Sequence, residues 1–88
     1  MDKKPVNRKY WIEFKQMSDV GVVTSEGCNA IIFTNRGVAT AYVNNEPIAT
    51  DQSISIASLA GEQDMSEYKI KFAAAGSKSL YIKIKWYK

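Results

Sequence analysis

The C-terminal stretch Leu80-Tyr81-Ile82-Lys83-Ile84-Lys85-Trp86-Tyr87-Lys88 alternates without a break. Successive side chains of an extended chain point to opposite faces, so Leu80, Ile82, Ile84 and Trp86 share one face and Tyr81, Lys83, Lys85 and Tyr87 share the other. This pattern predicts a half-buried β-strand. Just upstream, Tyr68, Ile70 and Phe72 alternate with Lys69 and Lys71, which predicts a second strand whose apolar face is backed by lysine.

The same period recurs toward the N-terminus. Between Arg8 and Lys15, the residues Tyr10, Ile12 and Phe14 alternate with Trp11, Glu13 and Lys15. Sheet structure resumes within Gln16–Thr24 after a break near Ser18-Asp19, where Gly21 permits a bulge. Ser25-Glu26-Gly27 reads as a turn. Asn29–Thr34 is apolar on both faces, with Ala30 and Ile32 on one and Ile31 and Phe33 on the other, as in a central or doubly covered strand.

At Asn35-Arg36-Gly37 a glycine at positive φ after a type I turn would fold Val38–Val43 back as a hairpin, and Asn44-Asn45 suits a tight two-residue turn. Pro47 assigns Glu46–Ala49 to a sheet edge or a strand start. Gln52–Ser58 alternates Ile54 and Ile56 with small residues, Leu59–Glu67 is an acidic connection, and Ala73–Ser77 joins the two lysine-backed strands. Three alanines there are too few to nucleate a helix.

Seven to eight short strands and no helical period predict an all-β fold, a small antiparallel β-sandwich of jelly-roll-like or Ig-like arrangement, with a small barrel as the alternative. The alternation predicts a core of Tyr10, Ile12, Phe14, Ile32, Ile54, Ile56, Tyr68, Ile70, Phe72, Leu80, Ile82, Ile84 and Trp86. At 88 residues the chain reads as an exposed arm over 1–8 and a single sandwich domain over 9–88. Such a domain buries only about two-thirds of its unfolded surface, so partners would add to its stability.

Charge is segregated along the chain: residues 1–15 carry five bases and two acids, residues 16–67 one base and seven acids, and residues 68–88 six bases and no acid. The lysines of the last two strands are either solvated guards against edge aggregation or a basic surface for an acidic partner. A lone Cys28 excludes an intramolecular disulfide and suits a reducing cytoplasm. The sequence has no secretory h-region and no apolar run of about 18 residues.

The chain contains no histidine, which removes the commonest general base and the commonest nitrogen ligand for metals. Without a histidine base, Cys28 lacks the usual means of thiolate activation. Glu62, Asp64 and Glu67 cluster before a strand, but their spacing matches no EF-hand loop, and no phosphate-cradling glycine loop is present. No catalytic residue, metal or cofactor is predicted. Two surfaces remain: a protein interface anchored by Trp11, Ile31 and Phe33, and a basic face of Lys69, Lys71, Tyr81, Lys83, Lys85 and Tyr87 that could stack and neutralise single-stranded nucleic acid.

The order Ile31–Gly37, Ala41–Ile48, Ser53–Ile56 and Tyr68–Phe72 resembles the small β-rich virion proteins of tailed bacteriophages in its succession of turns, strands and acidic loop. The resemblance covers about two-thirds of the chain. It implies a non-enzymatic structural role in capsid decoration, a head fibre or a tail. A homo-oligomer would then contact other virion proteins, with no membrane or small-molecule substrate, after synthesis in the host bacterial cytoplasm. A single-strand nucleic-acid-binding module with a small β-barrel is the alternative.

Overall fold

The computed structural model describes residues 10–57 and 64–87, without the side chains of Tyr10, Trp11 and Tyr87. The expected arm over 1–8, Glu62 and most of the Leu59–Glu67 connection therefore lie outside the described residues. Eight strands form: β1 (Tyr10–Met17), β2 (Gly21–Thr24), β3 (Ala30–Asn35), β4 (Ala41–Val43), β5 (Glu46–Ile48), β6 (Ser53–Ala57), β7 (Glu67–Phe72) and β8 (Leu80–Tyr87). They make two antiparallel four-stranded sheets, ordered β1-β8-β3-β6 and β2-β7-β4-β5.

The core lies between these sheets. Ile31, Phe33, Leu80, Ile82 and Ile84 come from the first, and Val23, Ala41, Val43, Ile48, Tyr68 and Ile70 from the second. The rings of Phe33 and Tyr68 meet across the interface at 5.2 Å, tilted by 58°, within the range of favourable aromatic pairs. The β8 alternation is realised as read, with Leu80, Ile82 and Ile84 fully buried.

Two strands face the other way from expectation. Residues opposed across a ladder share a face, and β8 pairs Ile84 with Glu13 and Ile82 with Lys15 on one side, Ile84 with Ile31 and Ile82 with Phe33 on the other. The buried β8 face thus recruits Ile31 and Phe33 into the core, and places Ile32 outward beside Lys83. On β1 the same parity turns Ile12 and Phe14 away from the core, and they stand 40% and 74% exposed. Ile31 and Phe33 consequently cannot serve as the surface anchors expected of them, since both are fully buried. Ile54, Ile56, Phe72 and Trp86 are half-buried and pack against the core rim; the expected burial of the Tyr10 side chain lies outside the described residues.

The connections also depart from the hairpin expectation. Among the described residues only β4 and β5 form a hairpin, closed by Asn44 and Asn45 at φ 49° and 71°, as a primed turn requires. β3 and β4 lie in different sheets, so Asn35-Arg36-Gly37 is a crossing. Asn35 is fully buried, and its amide nitrogen donates to the carbonyls of Ala39 at 2.9 Å and Ile48 at 2.8 Å, while its side-chain oxygen accepts from the Gly37 N–H at 2.9 Å. Gly37 is required for closeness rather than for positive φ: a Cβ there would sit 2.5 Å from the Ser77 carbonyl oxygen. β7 and β8 likewise belong to opposite sheets and do not pair.

Urea denaturation of single variants checks this register. Ile82→Ala costs about 2–5 kcal/mol as a cavity in a packed core, whereas Phe14→Ala changes stability by less than about 1 kcal/mol. Asn35→Asp, which takes the amide donors from two buried carbonyls, costs at least about 1–3 kcal/mol.

Candidate interaction face

The outer face of the β1-β8-β3-β6 sheet is built in rows by the ladder register. Phe14, Lys83, Ile32 and Ser55 form one row; Ile12, Lys85, Ala30 and Ala57 form the next on one side, and Gln16, Tyr81, Thr34 and Ser53 on the other. Phe14 is 74% and Tyr81 50% exposed. The register sets Lys83 between Phe14 and Ile32, and its side chain is half-buried there. An open cleft of about 670 Å³ runs over Phe14, Gln16, Ile32, Thr34, Tyr81 and Lys83 and reaches Arg36.

Polar groups fix the margins of this surface. The Thr34 and Ser53 hydroxyls are 2.8 Å apart, Gln16 Nε2 donates to Ser79 Oγ at 3.2 Å, and Arg36 Nη1 meets Asp51 Oδ1 at 3.1 Å. None of the strand residues in the three rows is acidic, so the face combines aromatic and aliphatic groups with cations.

The basic face expected from sequence is split between the two sides of the molecule. Tyr81, Lys83 and Lys85 lie on the outer face just described. Lys69 and Lys71 alternate with the buried Tyr68 and Ile70 on β7, and therefore lie on the outer face of the other sheet, where the register pairs them with Val22 and Tyr42. The side chains of Tyr87 and Trp11, the remaining expected members of the basic face and the interface, lie outside the described residues. The exposure of Phe14 and Ile12 is not legible in the sequence, because their alternation with Glu13 and Lys15 carries the same local signal as a buried strand face.

A clamp joins the β2–β3 crossing to the segment before β7. Cys28 and Asp64 form an isolated bridge, with N–H to carbonyl distances of 2.8 Å from Asp64 to Cys28 and 3.0 Å from Gly27 to Asp64. The buried Ser25 hydroxyl donates to the Asp64 carbonyl, the Tyr68 hydroxyl donates to the Asp64 carboxylate, and the Ser66 N–H donates to it at 2.7 Å. Burial alone would raise the Asp64 pKa, but the hydrogen bonds from Tyr68, Ser66 and Ser25 outweigh it and hold the carboxyl below its ordinary value. Burial first, then the bond to Asp64, pushes the Tyr68 hydroxyl up to about 12. The Cys28 thiol is also pushed up, by burial and then by the Asp64 charge, which suppresses the nucleophilic thiolate.

Of the acidic cluster read from sequence, Asp64 is engaged by Tyr68 and Ser66, Glu67 sits at the register position opposite Thr24, and Glu62 lies outside the described residues. Among the described residues no three His, Cys, Asp or Glu side chains gather as a metal site, and no helix is long and apolar enough to cross a membrane. No family model and no curated protein matches the sequence.

Because the folded-state pKa of Tyr68 lies above its unfolded value, its contribution to stability is complete below about pH 10 and is lost as pH rises toward about 12. The urea midpoint of the wild type should therefore fall more steeply over that interval than the midpoint of Tyr68→Phe. Below the ordinary carboxylate range the sign reverses: the Asp64 contribution disappears as pH falls through its depressed folded-state pKa, and Asp64→Asn should flatten the acid limb.

Proposed function

We propose that this chain is a non-enzymatic structural protein that acts in many copies through protein–protein contacts, as a capsid-decorating, head-fibre or tail-associated protein of a bacteriophage virion would. The observation that carries the assembly role is the exposed surface of Phe14, Ile12 and Tyr81 around the half-buried Ile32, flanked by Lys83 and Lys85, on one face of the sheet. Such a surface is better buried against protein than against water, with the apolar groups supplying affinity and the lysines orienting an acidic partner. The virion setting draws on the resemblance of the turn and strand order to small phage structural proteins. The lack of histidine and the suppressed Cys28 thiolate favour a binding role over catalysis.

Purified particles encoded alongside this chain should contain it in many copies. Phe14→Ala should leave the fold intact and weaken assembly by about 2 kcal/mol, the magnitude of an interface hot spot and roughly thirtyfold in affinity. A monodisperse monomer at high concentration, together with absence from every purified particle, would overturn the assembly reading.

The exposed Tyr81 between Gln16 and Thr34, one position from Lys83 on the same face, favours single-stranded nucleic acid as a second reading. Under it, a fluorescent oligonucleotide binds at low salt with affinity falling as salt rises. Tyr81→Ala costs roughly 1–3 kcal/mol of binding, and Lys83→Ala flattens the salt slope more than Lys69→Ala on the opposite side. Absence of binding at low salt would remove this reading.

A further inference from the structure

Each sheet ends in two edge strands, and three of the four edges are blunted. β1 carries Glu13 and Lys15 on its core-side face, and Lys15 Nζ approaches Glu26 Oε2 at 4.0 Å. β2 has four residues and starts at Gly21, while β5 has three and contains Pro47, which offers no N–H. Charges, proline and short length are the means by which edges avoid pairing with other chains. β6, Ser53-Ile54-Ser55-Ile56-Ala57, has none of them: it is uncharged, contains neither proline nor glycine, and pairs one-to-one with β3 without a bulge.

The hydrogen-bonding parity of β6 can be read from its ladder. Asn35 N–H donates to the Gln52 carbonyl at 3.0 Å, and the neighbouring Thr34 and Ser53 are close through their hydroxyls at 2.8 Å. In an antiparallel ladder the bonded pairs alternate with the unbonded ones, so Ile54 and Ile56 bond toward β3. The N–H and C=O groups of Ser53, Ser55 and Ala57 consequently point away from the sheet.

The geometry points to β6 as a self-pairing edge that joins two copies of this chain about a two-fold axis through Ser55, an inference that rests on the assembly reading above and names its partner. The segment is self-complementary in that register. Ser53 stands opposite Ala57 of the second copy, Ser55 opposite its own counterpart, and all three outward-pointing residues of each strand exchange both backbone bonds. Ile54 stands opposite Ile56 of the second copy on the core side. Both isoleucines are half-buried in the single chain, and this pairing covers the remainder. No charge opposes its like, and the result is a continuous eight-stranded sheet whose two Phe14/Tyr81 surfaces lie on one side.

Sedimentation velocity combined with residue-resolved hydrogen exchange tests the pairing. The wild type should sediment at the mass of two chains, with the amides of Ser53, Ser55 and Ala57 protected although they occupy an edge. Ser55→Pro removes an N–H that β3 does not use, and Ser55→Lys sets two ammonium groups across the axis. Both should halve the mass and expose those amides while leaving the far-ultraviolet circular dichroism unchanged, and Ser55→Lys stands alone if the proline variant fails to fold. A wild type at the mass of one chain with these amides unprotected overturns the proposal. So does an oligomer that survives both Ser55 variants; if Phe14→Ala dissolves that oligomer, the outer-face reading stands without the β6 contact.

Discussion

Everything in this fold follows from the burial of one face of β8. Leu80, Ile82 and Ile84 are removed from water, each contributing about 1.5–3 kcal/mol, and β8 is hydrogen-bonded on both sides, to β1 and to β3. A strand buried on one face and paired at both edges fixes the orientation of its neighbours, because a slip of one residue would send every side chain to the wrong side. Ile31 and Phe33 are drawn inward by that constraint, and Ile12 and Phe14 are turned outward by it. β7 plays the equivalent part in the other sheet, with Tyr68 and Ile70 buried between β2 and β4.

Polar groups hold the crossings where the chain leaves one sheet for the other. Asn35 serves Ala39, Ile48 and Gly37 with three hydrogen bonds at 2.8–2.9 Å, and the Asp64 and Tyr68 clamp ties the β2–β3 crossing to the start of β7. A buried amide left without partners would cost more than the net gain of its bonds, so these sites specify one set of crossings rather than merely adding stability. Gly37 completes the arrangement by letting the chain approach the Ser77 carbonyl more closely than any side chain would allow.

The cost of this register is an outer face that no monomeric core requires. Phe14 and Tyr81 are exposed on the same side as Lys83, and the sheet that bears them ends at an uncharged edge strand. The lysines in alternation with the core of β8 serve two purposes at once: they keep the outward face hydrated, and they supply positive charge beside the aromatic groups. Lys69 and Lys71 do the first of these on the opposite sheet but cannot join the second, since the core separates the two lysine sets.

The all-β character, the position of most strands, the β4–β5 turn and the buried faces of β7 and β8 were legible in the sequence, because period-two alternation and asparagine turn chemistry are local properties. The lysine-backed outer face of β8, with its Tyr81, was legible for the same reason. The orientation of β1 was not. Ile12 and Phe14 alternate with charged residues as a buried face does, and only pairing with β8 determines that Glu13 and Lys15 stand on the core side. β3 was ambiguous because both of its faces are apolar, and the ladder to β8 resolved it in favour of Ile31 and Phe33. Nor could local pattern distinguish a hairpin at Asn35-Arg36-Gly37 from a crossing between sheets, since that choice depends on buried carbonyls at Ala39 and Ile48 and on the approach of Ser77. Alternation determined which residues share a face; long-range pairing decided which face met the core.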